Sequence, residues 1–135
     1  MRSIGTAVMA AALLSGCALG IQPDGSSPSE SFQVARSYQT VFLRAENQAQ
    51  ECLRGASDFK VIAKVDPATQ TGLVSVADPL TGVEVARTEL KALDARNTQV
   101  TQTVWGRAPW DLGALHAMGE SVRADVSMCI VYQVK

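Results

Sequence analysis

Apolar residues change their spacing several times along this chain, and each change predicts an element. From Val34 onward they fall three or four apart, at Val34, Tyr38, Val41, Ala45, Ala49 and Cys52. That spacing draws one stripe along an α-helix. Phe42 and Leu53 widen the stripe, while Arg36, Gln39, Arg44, Glu46, Gln48 and Glu51 supply the polar positions around it. Upstream, Ser27-Pro28-Ser29-Glu30 has the form of a capping box, with Ser at the cap, Pro at the first helical position and Glu at the third. Arg54 suits the C-terminal dipole and Gly55 a stop. The pattern therefore predicts a long helix from near Ser27 to Gly55.

The middle of the chain switches to a period of two. Phe59, Val61, Ala63 and Val65 alternate with Lys60, Ile62, Lys64 and Asp66, which reads as a strand. A turn at Pro67 to Gly72 leads to a second strand, Leu73 to Ala77. Asp78-Pro79-Leu80-Thr81-Gly82 is a strong turn, with Asp and Pro leading and Gly closing. Val83 to Leu93 reads as a third strand whose alternation slips after Val85, because Leu90 falls on the other parity; a bulge is expected there. Asp94 to Asn97 turns the chain into a fourth strand, Thr98 to Gly106. Short links between consecutive strands give an antiparallel meander. Ala108-Pro109-Trp110-Asp111 begins a second helix, with Leu115, Met118 and Val122 at helical spacing. Residues 126–135 stay open between prolonging that helix and adding a fifth strand, with the β-branched pair Ile130-Val131 favouring the strand. The predicted class is α+β: a long N-terminal helix packed on a four-stranded antiparallel meander, with a C-terminal helix and a possible fifth strand.

The beginning of the chain carries a different signal. A basic residue, Arg2, precedes an apolar stretch from Ile4 to Leu14. That is the size of a signal-peptide core and well short of the roughly twenty residues of a membrane span. Leu14-Ser15-Gly16-Cys17 then resembles the lipobox of bacterial lipoproteins: a branched aliphatic residue, two small residues and a cysteine. The resemblance implies a diacylglyceryl thioether on Cys17, cleavage before it, and acylation of the new amino terminus. Ala18, where an Asp often signals inner-membrane retention, favours the outer membrane in a host that has two. The chain divides accordingly into a removable signal (1–16), a lipidated tether (17–26) and a single domain (27–135). The expected partners are the membrane, through the lipid on Cys17, and another envelope protein or a glycan.

Charge narrows the classes further. The 135 residues carry 12 basic and 13 acidic side chains. There is no polybasic run, so nucleic-acid binding is not expected. Three cysteines include Cys17. In an exported domain the remaining pair, Cys52 and Cys129, reads as a disulfide, with two free buried thiols as the alternative. No C-x-x-C accompanies the single histidine, His116, so no metal site is expected. No G-x-S-x-G, P-loop or G-x-G-x-x-G occurs, and neither cofactor nor enzymatic activity is expected. Trp105-Gly106-Arg107-Ala108-Pro109-Trp110 places both tryptophans around an Arg and a Pro. Exposed, Trp105, Arg107 and Trp110 would make a partner-contact patch; packed, the tryptophans would fill the core.

The part after the lipobox also resembles small proteobacterial lipoproteins of uncharacterised function, which pair a helix ending in Cys with a meander and a late Cys. The shared features are the helix through Cys52, the turns near Gly72 and Gly82, the hairpin from Leu90-Lys91-Ala92-Leu93 to Val100, and Cys129. That likeness implies no particular activity. The expected function is a lipid-anchored envelope protein with a non-catalytic interaction domain, and the alternative is a binder of a small ligand or glycan.

Overall fold

Glu30, Phe32 and Val34 alternate with Ser29, Ser31 and Gln33, and this alternation decides the first element. In the computed structural model, which describes residues 19–56 and 58–130, these residues are a strand, β1 (Ser29–Val34), and not the start of a helix. β1 lies antiparallel to β5 (Thr98–Val104), with Phe32 opposite Val100 and Ser31 opposite Thr101. Hydroxyl pairs fix the solvent side of this ladder: Ser31 Oγ meets Thr101 Oγ1 at 2.9 Å, and Ser29 Oγ meets Thr103 Oγ1 at 3.1 Å. Beyond β5 follow β4 (Glu84–Ala92), β3 (Thr71–Ala77) and β2 (Lys60–Asp66), so the single antiparallel sheet has the order β1-β5-β4-β3-β2.

This corrects the expected architecture. Among the described residues there are five strands and two short helices, α1 (Tyr38–Cys52) and α2 (Leu112–Ala124), and no long helix from Ser27 to Gly55. The fifth strand comes from residues 29–34, not from the C-terminal segment, whose described residues 126–130 are irregular. The capping-box reading failed because Ser27 is buried and its Oγ accepts from the Gln22 backbone N–H at 2.7 Å. The true cap is Ser37, whose Oγ accepts from Thr40 N–H at 3.3 Å. Likewise α2 begins four residues later than Ala108, at a cap formed by Asp111 on Ala114 N–H. The bulge stands where the parity slips: Val76 pairs with Ala86 and Ala77 with Glu84, leaving Val85 as the extra residue.

Both helices pack on one face of the sheet. α1 buries Tyr38, Val41, Ala45 and Ala49, and α2 buries Leu115, Met118 and Val122. The core divides along the strands. One cluster gathers Val34, Tyr38, Val41, Leu90, Val100 and Val122 at the end where α1 starts. The larger cluster, around Leu53, Phe59, Val76, Val104, Trp110 and Leu115, fills the end where α2 starts. The opposite face of the sheet is mostly polar, as suits a two-layer α/β arrangement with one wet face.

The segment read as a tether lies against the domain from Gly20 onward. Ile21 N–H donates to Glu84 O at 2.8 Å, and Gln22 Nε2 donates to Gly20 O at 2.7 Å. Gly20 has φ +91°, and a Cβ there would lie 2.5 Å from Glu84 O and 2.2 Å from Val83 Cγ1. Only glycine fits so close an approach. Asp24 closes the following turn by accepting from Ser26 N–H. Residues 1–16, read from the sequence as a signal, Cys17 and residues 131–135 lie outside the described residues. Among the described residues, no helix is long and apolar enough to cross a membrane.

Candidate functional site

Long-range ties and surface relief concentrate at the end of the sheet where β5 leads into α2. The chain leaves β5 through Trp105 and Gly106, the latter at φ +101° with the Pro28 ring against its back. Residues 107 and 110 then close on each other, with Trp110 N–H donating to Arg107 O at 2.8 Å. This small loop sends its two tryptophans to different places. Trp110 is buried against Phe59, ring centroids 4.4 Å apart, and its indole N–H donates to Leu53 O at 2.7 Å. An indole has one donor, so burying it requires such an acceptor. Trp105 is half-buried, 6.4 Å from Trp110 between ring centroids. Arg107 is exposed and stands over Trp105 at 5.8 Å, a cation–π contact. The three therefore do not form one exposed patch: Trp110 belongs to the core, and Arg107 with part of Trp105 stays at the surface.

Cys52 ends α1 at the same place. It is bonded to Cys129, with Cα atoms 4.9 Å apart, so the pair is neither free nor deeply buried; Cys129 is exposed. The path back to Cys129 is specified by hydrogen bonds. Asp125 ends α2 in the left-handed conformation, φ 54°, and its carboxylate pairs with Arg44 at 3.2 Å. Ser121 Oγ accepts from Met128 N–H at 2.8 Å, and Gln48 Nε2 donates to Met128 O at 3.2 Å. Chain direction and side-chain contacts thus bring the cysteines together across 77 residues.

Between the disulfide, Pro109 and the first turn of α2 lies an open hollow of about 580 Å³. Leu53, Ala114 and Ile130 give it an apolar lining, and Asp111 and His116 are its polar side chains. Asp111 is engaged as the cap of α2, which leaves His116, exposed, at the margin. Ile130, in the lining, is 68% exposed, and Leu112, next in sequence to the lining residues Asp111 and Gly113, is 60% exposed. A second hollow of about 700 Å³ lies on the other side of Cys52 and Pro109, bordered by Glu51, Arg54 and Asp58. Among the described residues, no group of three His, Cys, Asp or Glu side chains is placed to hold a metal ion. Sequence reasoning did not find the hollow. His116 and Asp111 are five residues apart, and only the return of the chain to Cys129 builds the opposite wall.

One polar cluster lies elsewhere, between β1 and α2. Arg123 pairs with Glu30 at 2.6 Å and with Glu120 at 3.2 Å, and sits 4.1 Å from the Phe32 ring. The hydrogen bond that Arg123 donates to Glu30 raises the guanidinium further above its already high range. Beneath it, Gln102 is buried, donates to Thr88 Oγ1 at 3.3 Å and leaves Oε1 without a partner. Gly119 makes room, since a Cβ there would stand 3.1 Å from Arg123 Nη1. This cluster fastens β1 to α2. No protein-family model matches the chain, and no curated protein matches it significantly.

Proposed function

We propose that this chain is a lipid-anchored cell-envelope protein whose domain acts by contact with another envelope component and not by catalysis. The anchor rests on Arg2, the apolar core and Leu14-Ser15-Gly16-Cys17, with acylation at Cys17. The observation that carries the contact reading is the hollow beside the disulfide. Its wall is tied by Cys52–Cys129 and by the Trp110 bond to Leu53 O, its lining includes the exposed Ile130, and the exposed Leu112 lies in sequence between the lining residues Asp111 and Gly113. Exposed apolar side chains around a fixed depression suit a protein segment that buries them. The same observation weighs against a glycan site. Sugars need several convergent polar groups, and here one of the two polar side chains is already spent as a helix cap.

Photo-crosslinking in the native envelope tests this. A photoreactive residue at Leu112 should capture a discrete partner, and one at Leu93, on a turn at the other end, should not. Arg107→Ala in the first background should weaken the crosslink while the protein folds and localises normally. Turnover of an envelope substrate by the purified protein, abolished by His116→Ala with stability intact, would show that the domain is an enzyme.

A further inference from the structure

The docked N-terminal segment fixes how an anchored domain must stand on its membrane. Three peptide units separate Cys17 from Gly20. Fully extended they reach at most about 11 Å. Gly20 cannot drift from the domain, because it lies wedged against Val83 and Glu84 and the next residue is hydrogen-bonded to Glu84 O. Val83 and Glu84 close the turn between β3 and β4, where Asp78 N–H donates to Val83 O at 2.9 Å. The tip of that turn is Pro79-Leu80-Thr81-Gly82, which carries no charge. Leu80 is 94% exposed, the most exposed large apolar side chain among the described residues. The one carboxylate of the turn, Asp78, is turned onto its own backbone, accepting from Leu80 N–H at 2.8 Å and Thr81 N–H at 2.9 Å.

From these observations we infer that the β3–β4 turn faces the bilayer and that Leu80 enters the lipid interface, so the domain is held in one orientation and does not swing on a tether. The inference rests on the proposed acylation of Cys17 and names the surface that acylation brings into contact. An exposed leucine on a turn tip that carries no charge, with the one carboxylate folded back onto its own backbone, is the side chain that a headgroup–acyl boundary accepts. The turn at residues 93–97 lies at the other end of the strands, about 30 Å away by the length of β4. The hollow beside Cys52 shares the membrane-facing end. A partner that reaches it therefore sits close to the bilayer.

The test uses the full chain, extracted from membranes and reconstituted in phosphatidylcholine vesicles. Cys17 is acylated in this reading and Cys52–Cys129 is bonded, so Leu80→Cys introduces the single free thiol for a fluorescent label. Leu93→Cys is labelled as the distal control, and Thr81→Cys replaces Leu80→Cys if that variant misfolds. Acyl chains bearing nitroxides should quench most of the fluorescence at position 80 and leave position 93 as it is in nitroxide-free vesicles. Adding Gly20→Val, which cannot adopt the clamp, should relieve the quenching at 80 while the acyl mass and flotation with vesicles persist. Equal quenching at 80 and 93 in protein that carries acyl mass and floats would overturn the orientation and leave the anchor standing. Protein without acyl mass would overturn both.

Discussion

The two ends of the sheet are built differently. At the distal end, Ala92 N–H joins the two turn regions through Gln70 O and Arg36 ties the start of α1 to β5 and to the end of α2, but within themselves the turns 67–70 and 93–97 close on neighbouring residues. Asp66 accepts from Ala68 N–H, Asp94 from Arg96 N–H and the Asn97 side chain, and Leu93 N–H reaches Asn97 O. At the proximal end, closure depends on residues far apart in sequence: Ile21 with Glu84, Trp110 with Leu53, and Cys52 with Cys129. Near the distal turns the sheet carries a hollow of about 360 Å³ beside Gly72, Leu90 and Gln99, and at the proximal end the remotely closed loops border two larger ones beside Cys52. The difference teaches that the larger relief lies where covalent and ring contacts join residues distant in sequence.

The largest expected effect tests the covalent tie. The double variant Cys52→Ala/Cys129→Ala releases a loop of 77 residues. In the chain-entropy account it should lose about 4–5 kcal/mol, read as the change in urea unfolding free energy. A loss below about 1 kcal/mol would show that the hydrogen bonds on Met128, and not the covalent tie, hold the C-terminal segment.

Next come the two cores. Trp110→Ala should cost about 3–5 kcal/mol and leave Leu53 O without its donor. At the distal end, Leu90→Ala should cost about 2–5 kcal/mol, since Leu90 is equally buried. The discriminating measurement is structural. Trp110→Ala should alter the environment of Trp105 fluorescence and weaken any crosslink from Leu112; Leu90→Ala should lower stability and leave both unchanged. If both variants changed the crosslink alike, the ends would not be independent.

A smaller effect concerns the helix start that the sequence pattern misplaced. Ser37→Ala should destabilise the protein by about 1 kcal/mol in thermal or urea unfolding, as loss of an N-cap does. Ser27→Ala should act elsewhere, by freeing Gln22 N–H and loosening the N-terminal segment. Finding that Ser27→Ala lowers the helix signal and Ser37→Ala does not would restore the longer helix.

That misplacement shows what was legible and what was not. The meander was readable because its turns carry their own chemistry, Asp78 and Gly82, Asp94 and Asn97, and Pro67; the last turn closes at Gln70, φ 53°, and the Gly72 assigned to it lies in β3. The bulge was readable because Val85 and Leu90 disagree in parity. β1 was not, for a physical reason: Val34 satisfies both a helical stripe with Tyr38 and Val41 and an alternation with Phe32. Six residues are too few to decide between the periods without knowing that β5 needs a neighbour. The cysteine pair was legible from its number and the expected export. The hollow beside it was not, because its walls come from α1, the loop before α2 and the return to Cys129, and no local pattern encodes their meeting.

The smallest effect is pH dependence at the turns. Asp94 is held below the ordinary 3.8 by the Arg96 backbone N–H and then by the Asn97 side chain. Asp78 is held below it by the backbone N–H groups of Thr81 and Leu80. A carboxyl lowered by folding contributes stability that is present above its unfolded value and is lost as pH falls through the folded value. The window therefore lies on the acid side of 3.8 for both turns. Asn in place of Asp removes the charge and the titration together. Near neutral pH, Asp94→Asn should be less stable than the wild type, and the difference should shrink as acid protonates the wild-type carboxyl. Asp78→Asn should show the same sign with a smaller amplitude, because Gly20 and Ile21 brace the end of its turn from outside. Urea unfolding of the three proteins across the acid range measures both amplitudes. A larger amplitude at Asp78 would mean that the N-terminal segment does not brace the proximal turn, and would remove the clamp on which the orientation of the domain depends.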